Sequence, residues 1–376
     1  MTARIVSIGT AVPETRLDQQ RARDFFAAQP GADRLAQRRI RAVFDASAIE
    51  QRYTVLSQLA DPAAPPADRT DGIDGLDFVD ESVLLSPATG ARNDTYRRLA
   101  PALSASAAGA ALADAGIAAS AVTHVVTVSC TGFFAPGPDY RLVRDLGLPG
   151  TAQRSHLGFI GCAAALPALR LAAQITGAEP GAVVLVAATE LCTLHVRDST
   201  DPQQIVASSV FADGAAAAVI TADAATGAPG GLELDRFGTA LTSEGEADMV
   251  WSIGDHGFEM ILSAEVPRIV GREIRGALDR FLAGDPPPDA WAVHPGGRSV
   301  LDRVEAGLDL DPEALATSRA VLRDFGNMSS ATILFILRAM LHDDALRDGT
   351  RVAALAFGPG LTVESALLTK RSPAAA

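Results

Sequence analysis

The sequence predicts an α/β protein composed of two similar layered halves, and two observations support this prediction. Short apolar segments bounded by glycine or proline alternate with longer segments that are rich in alanine and leucine and have helical period. This alternation occurs on both sides of a turn-rich stretch at residues 223–230. We therefore place one half at residues 1–225 and a pseudo-equivalent half at residues 226–376, and the duplication favours a layered fold over a barrel.

The first half contains the elements around a candidate nucleophile. Two of its segments are continuously apolar, which is typical of strands in a sheet covered on both faces. Pro167 lies within the second predicted helix, and because proline is tolerated only in the first helical turn, this helix should begin near Ala163. The predicted elements are strands at residues 122–129 and 182–189, and helices at residues 103–115 and 163–176.

The second half repeats this pattern. An apolar strand at residues 289–293 ends at His294, and strand ends in α/β folds are where catalytic groups gather. A strongly apolar helix at residues 331–341 follows Asn327 and two serines. The other predicted elements are strands at residues 230–239 and 352–357, and helices at residues 269–282 and from residue 299 onward.

Composition and charge exclude several classes of function. Hydrophobic residues make up 48% of the chain and charged residues 20%, which is typical of a globular protein. A net charge of −13 disfavours nucleic-acid and anionic-membrane partners, because clustered lysine and arginine bind such partners. No apolar run reaches the roughly 18 residues of a membrane span, and the first ten residues lack the pattern of a secretory signal. We therefore expect a cytoplasmic protein without stable membrane insertion.

Cys162 is the candidate nucleophile. The chain contains three cysteines, whose spacing matches neither a metal site nor a disulfide framework, so we expect free thiols. Cys162 lies in a turn bracketed by glycines, GFIGCAAA, and backbone N–H groups at the start of the following helix would lower the pKa of its thiol. The alternative is a structural glycine turn that holds an inert buried thiol.

His294 and Asn327 are the candidate partners of this thiol. His294 lies in the segment WAVHPGG, and as an imidazolium it would pair with the thiolate of Cys162. The alternative is a histidine that is hydrogen-bonded within the core. Asn327 lies in FGNMSSAT, where an asparagine can also cap a helix N-terminus. Capping by Ser329 or Ser330 would instead leave Asn327 free.

Four segments in a fixed order resemble the type III polyketide synthases, the chalcone-synthase-like enzymes of the thiolase superfamily. They are SIGTAVP at residues 7–13, HPGG at 294–297, GNMSS at 326–330 and GPGLTVE at 358–364. The resemblance extends over nearly the whole chain. It implies the duplicated, layered thiolase-like fold (αβαβα) and a homodimer whose pocket walls are partly completed across the interface.

The resemblance also implies an activity. Cys162 would carry an acyl starter taken from a CoA thioester, while His294 and Asn327 would drive the decarboxylation of malonyl-CoA and donate N–H groups to the resulting enolate. Iterative decarboxylative Claisen condensation followed by cyclisation would give a pyrone, a resorcinol or a related aromatic product. This chemistry uses acyl-CoA and malonyl-CoA as substrates and needs no metal, nucleotide or redox cofactor.

The same resemblance assigns the pocket. Phe211 matches the aromatic gatekeeper, and Met260 replaces its usual aromatic companion. Ala135 stands where the plant enzymes have a methionine that reaches into the partner's cavity. The resemblance does not show which residue near 249–251 forms the pocket floor. A bulky residue there would shorten the cavity. The remaining pocket residues are Cys130, Cys192, His195 and Ser329.

The resemblance also indicates which residues bind the substrates. Arg39, Arg41 and Arg298 are the candidates to hold CoA phosphates at the entrance. The residues at positions 130 and 260, Cys130 and Met260, favour a bacterial-type enzyme that takes aliphatic acyl-CoA or malonyl-CoA.

Three alternative functions stay open. These are a ketoacyl synthase III-type enzyme that initiates fatty-acid synthesis on acyl carrier protein, a cysteine hydrolase whose histidine would want a third hydrogen-bonding residue, and a non-catalytic acyl-binding homologue.

Overall fold

The computed structural model describes residues 2–67, 75–222 and 230–372 as a mixed arrangement of strands and helices. The strands are β1 (Arg4–Ala11), β2 (Thr15–Asp18), β3 (Gln51–Thr54), β4 (Val79–Asp80), β5 (Val83–Leu84), β6 (His124–Ser129), β7 (Gln153–Gly158), β8 (Val183–Leu191), β9 (Asp213–Thr221), β10 (Gly231–Leu241), β11 (Met249–Gly254), β12 (Gly257–Leu262), β13 (Ala290–Val293), β14 (Arg351–Gly358) and β15 (Thr362–Arg371). The helices are α1 (Gln19–Ala27), α2 (Arg34–Asp45), α3 (Ser57–Ala60), α4 (Thr89–Ala115), α5 (Pro138–Asp145), α6 (Ala165–Ala178), α7 (Pro202–Val210), α8 (Val266–Leu282), α9 (Arg298–Leu308), α10 (Ala316–Phe325) and α11 (Thr332–Leu341). Within the described ranges, no helix is both long and apolar enough to cross a membrane.

One mixed sheet runs through both halves of the chain, in the order β13-β14-β15-β10-β1-β9-β8-β6-β7. The strands of the first half and those of the second occupy separate stretches of this order. They meet only briefly at β1 and β10, where Arg4 lies opposite Glu233 and Ile5 opposite Leu232. Strands β6 and β8 are buried along their whole length, as their continuously apolar sequences predict.

Helices α6 and α11 form a central layer between the two half-sheets. Helix α6 contacts β6, β8 and β9 of the first half and β10 and β15 of the second, and α11 contacts β1, β9 and β13. One apolar cluster joins both helices to the inner faces of both half-sheets. On the outer faces, α4 and α5 cover the first half-sheet, while α8 and α9 pack against the second. The layer order is helix, sheet, helix, sheet, helix, so the predicted duplicated layered fold is confirmed.

The differences between the predicted and observed elements have local causes. The predicted start at residue 103 is wrong, because α4 begins at Thr89 and accommodates Pro101 in its interior. Helices α6 and α11 each begin just after a tight 3₁₀ turn, at Gly161–Ala163 and Ser329–Ala331. Of the predicted junction between the halves, residues 223–229 lie outside the described residues.

Candidate active site

Cys162 lies in the turn that connects β7 to the central helix α6. Phe159 and Gly161 both have left-handed backbone conformations, with φ of 57° and 71°. A Cβ on Gly161 would lie 2.5 Å from Cδ of Pro359, so glycine fits this position and a larger residue would force a shift. A left-handed non-glycine residue such as Phe159 marks backbone strain that the surrounding packing maintains. The sequence therefore turns sharply just before the thiol.

Asn327 lies two residues before the matching turn ahead of α11. The two turns, at Gly161–Ala163 and Ser329–Ala331, contact each other. The carboxamide oxygen of Asn327 accepts the backbone N–H of Ser329 at 2.9 Å, and its Nδ2 lies 3.3 Å from the carbonyl oxygen of Gly296. Of the two alternatives, capping by a serine does not occur, because the hydroxyl of Ser330 donates to Glu190 and that of Ser329 lies beside the sulfur of Cys130. The two contacts of Asn327 orient the carboxamide in the wall of the cavity that Cys162 also lines, and its interaction with Cys162 favours the ionised form of the thiol.

His294 follows β13 directly and is fully buried in the wall of a cavity. Neither of its ring nitrogens has a hydrogen-bond partner among the described residues, which is unusual for a buried polar group. Burial lowers the pKa of His294 to about 3, so the imidazole is neutral. This absence of partners disfavours a core histidine that is satisfied by its own hydrogen bonds.

The pKa of the Cys162 thiol differs from the prediction that N–H groups at the helix start would lower it. Although the residue is partly open to the cavity, burial raises the pKa of its thiol to about 11, and hydrogen bonds with Ser329 and Asn327 offset only part of the rise. The predicted lowering of this pKa is wrong for the chain without substrate, because the loss of water outweighs the helix terminus. A lone thiolate and a lone imidazolium are both disfavoured here. A proton that passes from Cys162 to His294 therefore has to create both charges at once.

Two adjoining cavities meet at Cys162. The outer cavity has a volume of about 570 Å³, and His294 and Asn327 lie in its wall. The inner cavity has a volume of about 50 Å³ and is lined on its far side by Cys130, Cys192, His195 and Ser329. Four residues line both cavities: Cys162, Phe211, Met249 and Met260. The thiol therefore lies at a constriction, with the gatekeeper candidate Phe211 beside it.

Aromatic side chains bound one side of the inner cavity. Trp251 of β11 donates its indole N–H to the carbonyl oxygen of Cys130 at 2.7 Å and packs edge-on against His195. The ring of His195 stacks on Phe258, with the ring centroids 4.2 Å apart. Trp251 is thus the bulky residue near 249–251 that the sequence left unassigned, and it leaves little space beyond the thiol.

His195 is a wall residue whose tautomer is fixed by its neighbours. The backbone N–H of Phe258 donates to Nδ1 at 3.0 Å, so the proton resides on Nε2, which donates to the carbonyl oxygen of Thr131 at 2.8 Å. Burial lowers the pKa of His195 to about 3. With both nitrogens engaged, the neutral ring supports the cavity wall.

Glu190 is a buried carboxyl group behind the inner cavity that the sequence analysis missed. It accepts hydrogen bonds from the hydroxyl groups of Thr131 at 2.7 Å and Ser330 at 2.5 Å, and from the backbone N–H of Cys130 at 3.0 Å. Burial raises its pKa, and these donors oppose the rise. Glu190 therefore links the Cys130 loop to the turn before α11, where the hydroxyl of Ser329 lies 3.4 Å from the sulfur of Cys130. Its only trace in the sequence is a charged residue at the end of a predicted apolar strand.

The entrance carries arginines, but they are not all the predicted ones. Arg298 lines the outer cavity, and so do Arg268 and Arg303, which the sequence analysis missed because their exposure depends on how α8 packs against α9. Arg39 and Arg41 are exposed on α2 and lie outside the lining, which this helix reaches at Val43. The last predicted pocket residue, Ala135, is also exposed and lies outside both cavities of the chain.

The five-layered fold and the thiol between two cavities point to a condensing enzyme of the thiolase-like class, and comparison with known families agrees. The family model for the N-terminal domain of chalcone and stilbene synthases matches residues 1–224, and the model for the C-terminal domain matches residues 238–372. The chain therefore belongs to the chalcone and stilbene synthases, the type III polyketide synthases, and is an acyltransferase-type enzyme.

Relatives from a plant, a bacterium and an alga are similar over nearly the whole chain. The chain is 32% identical to bisdemethoxycurcumin synthase of Oryza sativa subsp. japonica, over 97% of this chain and 92% of that protein. It is 31% identical to 3,5-dihydroxyphenylacetyl-CoA synthase of Streptomyces toyocaensis, over 97% of this chain and 89% of that protein. The crystal structure of PKS-I from the brown alga Ectocarpus siliculosus superimposes with a TM-score of 0.89 at 28% identity, and the match covers 98% of each chain.

We expect Gly161→Ala to displace Cys162 and to lower kcat/KM about 100-fold, which is the size of effect that a 1 Å misplacement of a reacting group can have. The added methyl group would meet Pro359 in a backbone conformation that already costs a non-glycine residue about 1–2 kcal/mol. Gly360→Ala is the matched control, because Gly360 also has a positive φ, 92°, but open space around its Cβ position. Steady-state kinetics and thermal unfolding of both variants check this prediction. An equal loss of activity in the two variants would contradict it.

Proposed function

We propose that this polyketide synthase joins malonyl-CoA units to an acyl starter carried on Cys162 and releases a pyrone, a resorcinol or a related aromatic product. The observation that carries the proposal is the convergence of a thiol, an unpartnered imidazole and a carboxamide on one cavity, at the point where Cys162 divides it into two compartments. Membership of the type III polyketide synthases supports acyl-CoA and malonyl-CoA as the substrate class.

Loading is acyl transfer from a CoA thioester to the thiol of Cys162. Neutral His294 accepts the thiol proton while the sulfur attacks the thioester carbonyl, and the CoA sulfur leaves with that proton. Because burial disfavours each lone charge, the thiolate and the imidazolium arise as a pair while the substrate occupies the outer cavity. After loading, the imidazole is neutral again and carries one N–H.

Extension begins when malonyl-CoA loses carbon dioxide and leaves an enolate on the thioester oxygen. The imidazole N–H of His294 and the Nδ2 of Asn327 meet this oxygen, and each oriented donor of this kind contributes about 3 kcal/mol of transition-state stabilisation. The long 3.3 Å contact of Nδ2 with Gly296 is weak, so the donor can turn to the enolate at little cost. The enolate carbon then attacks the acyl group on Cys162, and the Cys162 sulfur leaves as a thiolate. This thiolate attacks the lengthened CoA thioester and releases CoA, so that the chain is again bound to Cys162 for the next round.

Water has to be kept from the enolate, because water would protonate it. Phe211 and Met260 lie beside the thiol in both cavities, and they narrow the passage at the reacting carbon. The proposed steps use only the thiol, the imidazole and the carboxamide, without a metal, a nucleotide or a redox cofactor. We place the reaction in the cytoplasm.

The inner cavity favours a small starter. Its volume of about 50 Å³ is limited by Trp251, and its wall is largely apolar, with sulfur atoms from Met249, Cys130 and Cys192. We therefore propose a short aliphatic acyl-CoA or malonyl-CoA as the starter. The named product of the Streptomyces relative, a 3,5-dihydroxyphenylacetyl group, contains the resorcinol ring pattern that the proposal includes.

The central test is incubation of the protein with malonyl-CoA and a panel of acyl-CoA starters, without carrier protein. We expect pyrones or resorcinols by mass spectrometry. Cys162→Ala should abolish both starter loading and product formation, whereas Asn327→Ala should keep loading and slow carbon dioxide release from malonyl-CoA about 100-fold. Product formation by the Cys162→Ala protein would overturn the proposal. A single condensation that requires carrier protein would favour the ketoacyl synthase III alternative, and release of free acid without use of malonyl-CoA would favour a hydrolase.

Replacing the floor of the inner cavity should lengthen the product. Trp251→Gly removes the indole that closes the cavity, so we expect products longer by at least one malonyl unit. Trp251→Phe is the matched control, because it keeps an aromatic floor and removes only the N–H that bonds Cys130. Liquid chromatography with mass spectrometry gives the product distributions. An unchanged chain length in Trp251→Gly would show that another part of the wall sets it.

We further propose a homodimer, supported by the free edge of the sheet. Strand β7 is paired only with β6 within the described part of the chain, and its residues from Gln153 to His156 are exposed. Such an edge is a template for pairing with a second chain. We expect light scattering after size exclusion to give twice the chain mass of 38.9 kDa, and Ser155→Lys to weaken the pair by placing a charge on this edge. A monomer mass for the unaltered protein at micromolar concentration would contradict the dimer.

A further inference from the structure

Arg52 of β3 holds the segment that carries Phe211. Its side chain is buried, and its Nη1 donates to the carbonyl oxygens of Ser208 at 2.9 Å and Phe211 at 2.5 Å. These carbonyls belong to the C-terminal end of α7, where the helix itself supplies no donors. A cation at this end is also favoured by the helix dipole. Arg52 therefore fixes the place where α7 stops and the gatekeeper candidate begins.

The same segment is bonded to the backbone of Asn327. The N–H of Asn327 donates to the carbonyl oxygen of Val210 at 2.8 Å, and the N–H of Ala212 donates to the carbonyl oxygen of Asn327 at 2.9 Å. Phe211 and Asn327 thus form a parallel β-bridge. Arg52 touches the second side of this bridge too, since a Cβ on Gly326 would lie 2.8 Å from its Cγ. The side chain of Arg52 therefore contacts both the segment that carries Phe211 and the segment that carries Asn327.

A buried cation is a demanding way to cap a helix. The neighbouring carbonyl oxygen of Ser209 is satisfied by a neutral amide, the Nε2 of Gln19, at 2.8 Å. The Nε and Nη2 of Arg52 have no hydrogen-bond partners among the described residues, and its guanidinium lies over the ring of Phe44, 5.8 Å from the ring centroid. Burial lowers the pKa of Arg52 to about 10. The nearby carboxylate of Asp213 opposes this shift, but it accepts its hydrogen bonds from the backbone N–H groups of Val55 and Thr193. Capping of α7 alone does not explain why a buried guanidinium with unpaired N–H groups is present at this position, because a neutral amide can cap a helix end at a lower desolvation cost.

We infer that Arg52 is a positioning residue that holds the Phe211 ring and the Asn327 carboxamide in register with Cys162. The inference rests on the proposed function, in which Asn327 serves decarboxylation. Cys162 and His294, which serve loading, lie on segments that Arg52 does not touch. Loss of Arg52 therefore acts on decarboxylation and extension and spares the loading of the starter.

The test compares Arg52→Met and Arg52→Lys with Gln19→Leu, the matched control that removes a donor from the same helix end without touching the bridge. Acylation of Cys162 by an acyl-CoA is followed by intact-protein mass spectrometry, and carbon dioxide release from malonyl-CoA is measured in parallel with thermal unfolding. In Arg52→Met we expect decarboxylation to fall about 100-fold and acylation to stay within about threefold of the native rate. Arg52→Lys should recover part of the loss, and Gln19→Leu should lower the unfolding temperature with the ratio of the two rates unchanged.

Two results would overturn the inference. One is an equal loss of acylation and decarboxylation in the Arg52 variants, and the other is a change of the ratio in Gln19→Leu as large as that in Arg52→Met. If Arg52→Met does not fold, the ratio in Arg52→Lys decides in the same way.

A readout without substrate separates this inference from the proposed function. Hydrogen exchange of residues 208–213 and 324–328 should be faster in the folded Arg52 variants than in Gln19→Leu. A native protein that is inert to both thioesters would refute the proposed function, and the exchange rates would still test the positioning. Unchanged hydrogen-exchange rates of these residues in the Arg52 variants would overturn the inference that Arg52 is a positioning residue.

Discussion

The contact between the two tight turns at the starts of α6 and α11 is the constraint on which the site depends. Each central helix begins immediately after a 3₁₀ turn, and the two turns touch between the half-sheets. Cys162 lies in one turn, and Asn327 lies two residues before the other. Since α6 contacts both half-sheets and α11 does the same, a shift of either helix would disturb the apolar cluster that spans the molecule. The packing of the whole fold thereby fixes the mutual position of a thiol and a carboxamide that are far apart in the sequence.

The second constraint is the removal of water from the three reactive groups. His294 is buried without a partner, and the thiol of Cys162 has a raised pKa. Both groups are neutral at rest, which avoids the large cost of isolated buried charges. Burial thus disfavours a thiolate or an imidazolium that forms alone, whereas formation of the two charges together lets each stabilise the other.

Much of this arrangement was predictable from the sequence. Strands β6 and β8 were predicted because strands covered on both faces leave a continuous apolar run, and Cys162, His294 and Asn327 were predicted because each lies in a short motif at the end of an element. The pKa shifts were not, since burial depends on the packing of the complete chain. Trp251 was not assigned either, because its place follows from the pairing of β11 with β12, which sets it opposite Met260. The hydrogen bonds of Arg52 to Ser208 and Phe211 were not predicted either, because they join segments more than a hundred residues apart.

The fixed tautomer of His195 has a consequence for a chain that carries many ketones. The methylene groups between ketones are acidic, and a stray base would start ring closure before the chain reaches its full length. In the inner cavity, the imidazole of His195 has both nitrogens occupied, and behind the cavity wall the oxygens of Glu190 accept hydrogen bonds from several donors. Neither group is free to act as a base on an acyl chain beside Cys162, so the shape of the two cavities, rather than acid–base chemistry in the inner wall, governs which carbons meet.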